Sequence, residues 1–421
     1  MIVGLDVGTS KIVCLVGEIT SDGHVEVIGI GSYAAKGMKR GVVVNIESTV
    51  QSIQRAVEEA ELMAGCNIHS VFVSVSGSHI RSLNSHGIVA VKDGEVQEAD
   101  IERVIDAAQA VPMPSDQRVL HILPQEYSID AQEGIKDPLG MSGVRLEANV
   151  HLISGAANAV MNVEKCIKKC GLGVDGVILS QLASSHSSLS EDEKELGVCL
   201  VDIGAGTADL AIWIDGSIHH TFVVPVAGDQ VTNDISMALR TPTQHAENIK
   251  IKYACALSSM ANSDQSIDVP SVGDRQPRTI SRHALAEVVE ARYEEIYNLV
   301  LDELRRSGYA ERIPAGVVLT GGTSQIEGAI DLAEKVFDMP VRVSFLERVN
   351  GVSDAVDNPI YSTGVGLLTL GGKNYDSDGV SSSRIQKVIS ETPDSVKIDS
   401  KVSANVTDVW RNVKNWFQSN L

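Results

Sequence analysis

Aromatic side chains are scarce in this 421-residue chain, at three Trp, eight Tyr and five Phe, or 4%. A core must therefore be built from Val, Ile, Leu and Ala, which the 43% hydrophobic content can supply. Positive charge is short as well: 35 Lys and Arg stand against 55 Asp and Glu, a net charge of −20. This balance argues against nucleic acid as a partner through a general basic surface. It argues equally against broad adhesion to an anionic membrane surface, so any membrane contact has to be local. The six cysteines (Cys14, Cys66, Cys166, Cys170, Cys199 and Cys255) are scattered. Cys166 and Cys170 share a helix face and could form half of a metal site, but no second pair stands at zinc spacing, so reduced, packed thiols are expected. No apolar run approaches the ~20 residues of a membrane span. The start, Met1-Ile-Val-Gly-Leu-Asp6, has no basic segment and is strand material. No signal peptide is expected, and the chain is expected to be cytosolic or peripheral to a membrane. The length allows two to four domains.

What is present is a repeated turn. Val198-Cys-Leu-Val-Asp-Ile-Gly-Ala-Gly-Thr-Ala-Asp209 begins as a buried-strand pattern, turns through Gly204, Ala205 and Gly206, and returns as Leu210-Ala-Ile-Trp-Ile214. Glycines without Cβ atoms let successive backbone N–H groups approach a phosphate, and Thr207 adds a hydroxyl donor. Asp202 and Asp209 would repel phosphate unless a cation or water lay between, so the composition suggests a Mg²⁺-nucleotide. One such turn can equally be a tight hairpin without a ligand. The chain repeats it, however: Ile2-Val-Gly-Leu-Asp-Val-Gly-Thr-Ser-Lys-Ile-Val-Cys-Leu-Val16 places Asp6, Gly8, Thr9, Ser10 and Lys11 in the same order. A third stretch, Gly316-Val-Val-Leu-Thr-Gly-Gly-Thr-Ser-Gln325, ends a strand in Gly321-Gly322-Thr323, a turn that can pass beneath a base or α-phosphate.

These three stretches resemble the phosphate 1, phosphate 2 and adenosine motifs of the actin/Hsp70/sugar-kinase superfamily. Essentially the whole chain, tail included, is similar to the FtsA family of bacterial cell-division proteins. The resemblance implies an α/β, actin-like fold of two duplicated ribonuclease-H-like domains around a nucleotide cleft, with an inserted α+β subdomain, 1C. By that division, 1–84 and 155–196 form subdomain 1A, 85–154 form 1C, 197–242 and 307–371 form 2A, and 243–306 form 2B. A flexible linker, 372–404, precedes an amphipathic helix, 405–421. ATP and Mg²⁺ are the implied cofactors. Asp6 and Asp202 would hold the metal, through water if not directly. Gly8, Thr9, Ser10 and Lys11 would hold one side of the phosphates, and Gly204, Ala205, Gly206, Thr207 and Asp209 the other. Gly321, Gly322 and Thr323 would pack on the nucleoside, together with Gly228 at the turn opening the helix Gly228–Ile235. Ala246-Glu-Asn-Ile-Lys250 resembles the superfamily's A-E-x-x-K element, in which Glu247 would contact the ribose and Lys250 would lie near the adenine.

Along the chain, helices are predicted over about 46–64, 99–111, 158–170 and 282–305, and strands at Val71–Ser76, His86–Val91, Arg118–Leu123, Glu126–Ile129 and Arg145–Ile153. Residues 258–280 read as a polar loop. Gln181 aligns with the residue near the γ-phosphate in ATPases of the superfamily. Glutamine can orient water but is no general base at neutral pH, so efficient hydrolysis is not expected; a polar residue satisfied at a helix start is the competing reading. In the family, 1C mediates self-association and contact with later division proteins, and 2B receives the acidic C-terminal tail of FtsZ. Arg278, Arg282 and Arg292 are candidate FtsZ contacts, or else solvated charges.

The tail holds two of the three tryptophans. At ~100° per residue, Val406, Val409, Trp410, Val413, Trp416, Phe417 and Leu421 fall within roughly 140° of one helix face. Arg411 and Lys414 lie on the polar side. A helix docked on the protein's own core and an interfacial membrane helix compete here, and the preceding linker and flanking cations favour the membrane. The expected function is an ATP-binding cytoskeletal adaptor that polymerises on the cytoplasmic face of the inner membrane at the division site. It would anchor FtsZ filaments there and recruit later division proteins. A PilM-like pilus-assembly protein and a sugar or acyl-phosphate kinase on the same fold are the alternatives, and neither requires the tail. Changing Trp410 and Phe417 together to Glu is expected to release the protein from membranes while leaving ATP affinity unchanged. Membrane fractionation beside a nucleotide titration checks this, and a variant that still pellets with membranes refutes the anchor.

Overall fold

The computed structural model describes residues 1–20, 25–271, 276–346, 349–351 and 356–376. The helix expected at 405–421, and the linker from 377 onward, lie outside them.

The first hairpin, β1 (Ile2–Val7) and β2 (Lys11–Ile19), continues into β3 (Val25–Ala34) and the short pair β4 (Met38–Lys39) and β5 (Val42–Val43). Next comes α1 (Ile46–Ala64), its limits set by local chemistry. The Asn45 side chain accepts from the Ser48 amide at one end, and Gly65 adopts a left-handed conformation at the other. Its buried face, with Ile53, Ala56, Val57 and Ala60, packs on β3 and β2. Strand β6 (Ser70–Val75) then runs parallel to β1.

The chain leaves this half as β7 (Arg81–Ala90), α2 (Glu98–Gln109), β8 (Gln117–Ile129), β9 (Gln132–Ile135) and β10 (Arg145–Ala156). These strands form a separate antiparallel sheet, β7-β10-β8-β9. Ile101, Val104, Leu146 and Val150 lie at the centre of a core of its own. The two strands expected around Pro124 are one. Pro124 faces Val150 and Glu126 faces Asn149, so Gln125 is bulged out and the strand continues past the proline.

Helix α3 (Ala157–Lys169) and β11 (Gly173–Leu179) return to the first half, and α4 (Ser180–Ser188) and α5 (Glu191–Leu196) lead out of it. The second half repeats the first. β12 (Val198–Ile203), β13 (Ala208–Ile214) and β14 (Ser217–Val224) form a meander, followed by α6 (Gly228–Leu239) and α7 (Thr243–Tyr253). Residues expected to be a polar loop contain a small hairpin, β15 (Ser266–Val269) with β16 (Arg278–Ser281), which buries Ile267 and Val269. With four residues per strand, its alternation is too short to stand out from a loop. After α8 (Arg282–Ser307) come β17 (Val317–Thr320), α9 (Ala329–Phe337), β18 (Val341–Val343), β19 (Val349–Gly351) and α10 (Ser362–Asp376). Residues 372–376, expected in the linker, extend α10.

The duplication is explicit in the sheets. The first half orders its strands β11-β6-β1-β2-β3, with β19 added at the edge, and the second orders them β18-β17-β12-β13-β14. In each, the central strand pairs antiparallel with the strand after it and parallel with the strand that follows a helical crossover. Helices α4 and α10 pack together where the halves join. A Cβ placed on Gly366 of α10 would stand 1.8 Å from the Ala183 carbonyl oxygen of α4, so only glycine permits this approach. Gly366→Ala is expected to force the helices apart and lower stability by ~1–3 kcal/mol. Denaturant unfolding would read this as a lower midpoint, whereas Leu62→Ala at an exposed position should stay within about 0.5 kcal/mol.

Candidate functional site

The two repeated turns are built alike. The Gly8 amide donates to the Lys11 carbonyl at 3.1 Å, and the Gly204 amide to the Thr207 carbonyl at 2.9 Å. Each follows an aspartate by two residues. The turns face one another across a cleft of about 740 Å³ between the halves. A Cβ on Gly206 would come within 2.5 Å of Thr9 Oγ1 and 2.8 Å of the Arg40 Cα, so the turns meet at the one point where a side chain would wedge them apart. Thr9 is fixed in turn, since its Oγ1 accepts from the Gly41 amide at 3.0 Å.

Asp6, Gly8, Thr9, Ser10, Lys11, Asp202, Gly204, Ala205, Gly206, Thr207, Asp209, Glu247, Lys250, Gly321, Gly322 and Thr323 all line this cleft. Gly228 stands just behind it. Its amide donates to the Gly204 carbonyl and its own carbonyl accepts from Lys250 Nζ, both at 3.1 Å. Lys250 is not a free cation at the nucleoside end. Its ammonium also donates to Thr232 Oγ1 at 2.9 Å and pairs with Glu247 at 2.8 Å, bolting α7 to the start of α6. The Gly321–Thr323 turn needs glycine at its head, where φ is +84°. It is held from behind by the buried Tyr293, whose hydroxyl donates to the Thr323 carbonyl at 2.6 Å.

Three carboxylates converge on the phosphate end. Asp202 and Asp209 sit directly opposite each other on β12 and β13, a like-charge pairing that is unfavourable unless something offsets it. Burial, then the neighbouring Asp6, push Asp202 up to about 6, although Thr363 Oγ1 donates to it at 3.2 Å. Burial, then Asp202, push Asp209 up to about 8 against hydrogen bonds from Ser76 and Thr207. Burial also raises Asp6, despite the Ser74 hydroxyl at 2.7 Å and the charge of Lys11. Lys11 is itself lowered to about 8 by burial, with the aspartates opposing.

This donor set fits Mg²⁺ with a phosphate ligand. Asp209 Oδ1 is buried without a hydrogen-bond partner. Among the described residues, no group of three or more His, Cys, Asp or Glu forms a metal cage. That suits Mg²⁺, which keeps waters and uses one or two carboxylates beside substrate phosphates.

Some placements differ from the expectations. Gln181 is not brought into the cleft: it is fully buried, and its amide donates to the Phe222 carbonyl at 3.4 Å, while its neighbour Ser180 lines the cleft. Helical geometry turns adjacent residues about 100° apart, so the alignment position and the cleft-facing position separate. Arg278, Arg282 and Arg292 each have intramolecular partners, and of the three Arg278 is an exposed residue. Arg278 donates to the Leu239 carbonyl, and Arg292 is forked onto Asp234 and paired with Glu295. Arg282 lies on the cleft lining, donating to the Tyr253 carbonyl at 2.9 Å and paired with Glu327. Ser76, at the end of β6, went unsingled in the sequence although its Oγ crosses the cleft to Asp209 Oδ2 at 2.7 Å. The available signal was its place at the carboxyl end of a parallel strand, where α/β sheets carry their ligands.

The sequence model of the family described as cell division protein FtsA matches residues 199–366, and that of the SHS2 domain inserted in FtsA matches 77–154. The cell division protein FtsA of Pseudomonas aeruginosa is 67% identical over 383 residues, covering 91% of this chain and 92% of its own. The FtsA of Escherichia coli K12 is 47% identical, with 89% and 91% covered. Among solved structures, a PilM–PilN type IV pilus biogenesis complex matches with a TM-score of 0.64 at 16% identity, covering 88% of this chain and 98% of that one.

The raised carboxylates give a signed pH dependence. A carboxyl that titrates higher in the folded than in the unfolded chain holds an extra proton when folded, so its contribution to stability is lost as pH rises through the folded value. Without ligand, the protein is therefore expected to lose stability between about pH 4 and pH 8, Asp209 ionising last. Asp209→Asn should remove up to ~1.4 kcal/mol per pH unit of that slope. Denaturant melts of both proteins at pH 6, 7 and 8 decide it, and parallel slopes would refute the assignment.

Proposed function

The chain belongs to the FtsA family of cell-division proteins and has its actin-like fold; from that premise we propose that it binds Mg²⁺-ATP in the cleft, polymerises, and anchors FtsZ filaments to the cytoplasmic face of the inner membrane. The observation that carries the nucleotide reading is the pair of matching turns facing each other across a carboxylate-lined cleft. Backbone amides and hydroxyls of Gly8, Thr9 and Ser10 would cradle phosphate oxygens from one half, and Gly204 to Thr207 from the other. Lys11 supplies charge. Asp6 and Asp202 would hold the metal through its waters, and the bound cation would neutralise the charge that burial makes costly.

The reading includes little turnover. No histidine lines the cleft, Gln181 faces away from it, and Asp209 holds a proton near neutral pH, which makes it a poor base. Nucleotide would then serve to join the two halves and so favour a polymerisable shape. Among the described residues no helix is long and apolar enough to cross a membrane. Attachment is proposed through the tail face of Val406, Val409, Trp410, Val413, Trp416, Phe417 and Leu421. Each large side chain buried contributes ~1.5–3 kcal/mol before ordering costs, so one anchor binds reversibly and a filament of anchors holds. The insert is assigned to self-association and to later division proteins. The FtsZ tail is assigned to 243–306, with Arg278, Arg282 and Arg292 as candidate contacts that would meet it while keeping their intramolecular partners.

Sedimentation with anionic vesicles tests the whole reading. FtsZ filaments are expected to pellet with vesicles only when the full chain is present with Mg²⁺-ATP, and not with a chain ending at Ser403. Gly206→Asp, which drives a charged side chain between the turns, should weaken ATP binding at least tenfold, about 1.4 kcal/mol. Retained ATP affinity in that variant would refute the cleft assignment.

A further inference from the structure

The outer edge of β14 is the open edge of the second half's sheet, since β13 is its only strand partner among the described residues. Open edges need cover, and here polar side chains of the insert supply it instead of a strand. Ser82 Oγ on β7 donates to the Thr221 carbonyl at 2.9 Å, and Asn84 Nδ2 to the His219 carbonyl at 3.1 Å. From β8, Gln125 Nε2 donates to the Ile218 carbonyl at 3.0 Å, while Ser217 Oγ donates back to the Gln125 carbonyl at 2.9 Å. His151 of β10 is buried between Asn84 Oδ1 at 2.6 Å and Thr221 Oγ1 at 3.1 Å. The bulge at Gln125 thus has a use: it turns that side chain onto β14. At the exposed end, Lys136 reaches the Asp215 carbonyl and Ser217 Oγ. Among the described residues no strand ladder crosses this seam. The insert keeps a core of its own, while Leu120 of β8 and Ile153 of β10 join the core that contains Ile218 and Val223 of β14. Individually weak, geometrically strict bonds add to that apolar contact in holding insert to edge.

The same β13–β14 hairpin carries the cleft contacts. It begins at the Gly204–Thr207 turn, and Asp209 on β13 accepts from Ser76. Ser76 lies at the end of β6, and the chain passes directly from it into β7, where Ser82 grips Thr221. β13 and β14 pair in unbroken register from Ala208 to Ile212, with Asp209 opposite Val223 and Ala211 opposite Thr221; past Ile212 a bulge skips His219, so Trp213 faces Ile218. The in-register part of the hairpin therefore links the Gly204–Thr207 turn to Thr221 of the seam, where Ser82 and His151 hold it.

We infer that the insert is a lever geared to the cleft: a ligand bridging the Gly8 and Gly204 turns shifts the β13–β14 hairpin, and the side-chain seam on β14 converts that shift into a change in the insert's seating. This would let nucleotide occupancy set how the insert presents its outer surface to a further copy or another protein. The inference rests on the proposed nucleotide binding. Coupling of this kind needs a contiguous element whose arrangement both sites bias, and the hairpin is that element.

Amide hydrogen exchange on the full chain tests it, with Mg²⁺-ATP and Mg²⁺-ADP as probes and a nucleotide titration on the same samples. ATP is expected to change exchange by about threefold or more in peptides covering 81–90, 117–129 and 217–224. In a Ser82→Ala/Asn84→Ala variant, ATP affinity should stay within roughly twofold while the response in 81–90 and 117–129 is lost. Lys136→Ala, at the exposed rim, cannot disturb the core and should reduce the response if the double variant fails to fold. Unchanged exchange in a parent that binds ATP would overturn the lever and leave the cleft assignment standing. An undiminished response in the folded seam variants, or in Lys136→Ala alone, would also overturn it. Absence of ATP binding would overturn both.

Discussion

The structure turns on one electrostatic constraint: three carboxylates, Asp6, Asp202 and Asp209, are gathered at one end of a cleft where burial raises all of them. A protein whose only task was to be stable would not keep like charges opposed on neighbouring strands when an apolar pair would be neutral or better. A proton on Asp209 relieves part of that repulsion near neutral pH, and a bound cation would relieve the rest. Each half supplies one wall and one aspartate of the Asp6–Asp202 pair, so a ligand satisfying that pair has to touch both. The charge cluster and the two-halved architecture are consequences of the same duplication.

The duplication is not perfect, and one divergence at the turns is informative. On β1 and β2, Asp6 faces Val13, whereas on β12 and β13 Asp202 faces Asp209. The second half carries the extra carboxylate and holds it with a hydroxyl from the first, Ser76. Two further ties reinforce that half: Thr323 Oγ1 to the Gly204 carbonyl at 2.8 Å, and Thr363 to Asp202. The second turn is therefore fixed by contacts from β6, from the loop after β17 and from α10. The first turn is held by its own closure, by Gly41 and by the Ala35 amide, which donates to the Ser10 carbonyl at 2.9 Å, while Ser74 hydrogen-bonds Asp6. The Ser76–Asp209 bond ties the halves at the point from which the chain enters the insert.

How much of this was legible follows from the range of the forces involved. Helix α1 was readable to the residue because its limits are local, an Asn45 cap and a Gly65 stop. Both hairpins were readable because a phosphate turn needs glycine, hydroxyl and carboxylate within a few residues. The merged strand at Pro124 was misread because the bulge depends on the β10 partner, which local sequence does not reveal. The partners of Arg282 were unreadable for a related reason. A cation in an acidic chain suggests a surface role, and only folding brings Tyr253 and Glu327 to it. Ser76 and Gln181 are the clearest pair: one looked ordinary and bridges the cleft, while the other aligned with a catalytic position and is buried against β14.

The charge of the chain constrains the proposed membrane role more tightly than its fold does. A body of net charge −20 approaches an anionic surface against repulsion, screened beyond a Debye length of about 8 Å at physiological salt. Broad attachment of the acidic body is therefore disfavoured, and the proposed membrane contact would have to be local, with the body held off the surface. A short amphipathic segment carrying Arg411 and Lys414, placed after a long polar stretch, meets both needs at once: it brings local cations to the headgroups and spaces the body away from them. The same repulsion makes a single anchor weak by design. On the proposed reading, binding would then depend on how many anchors one polymer carries, which would tie membrane residence to assembly, and assembly to the occupancy of the cleft.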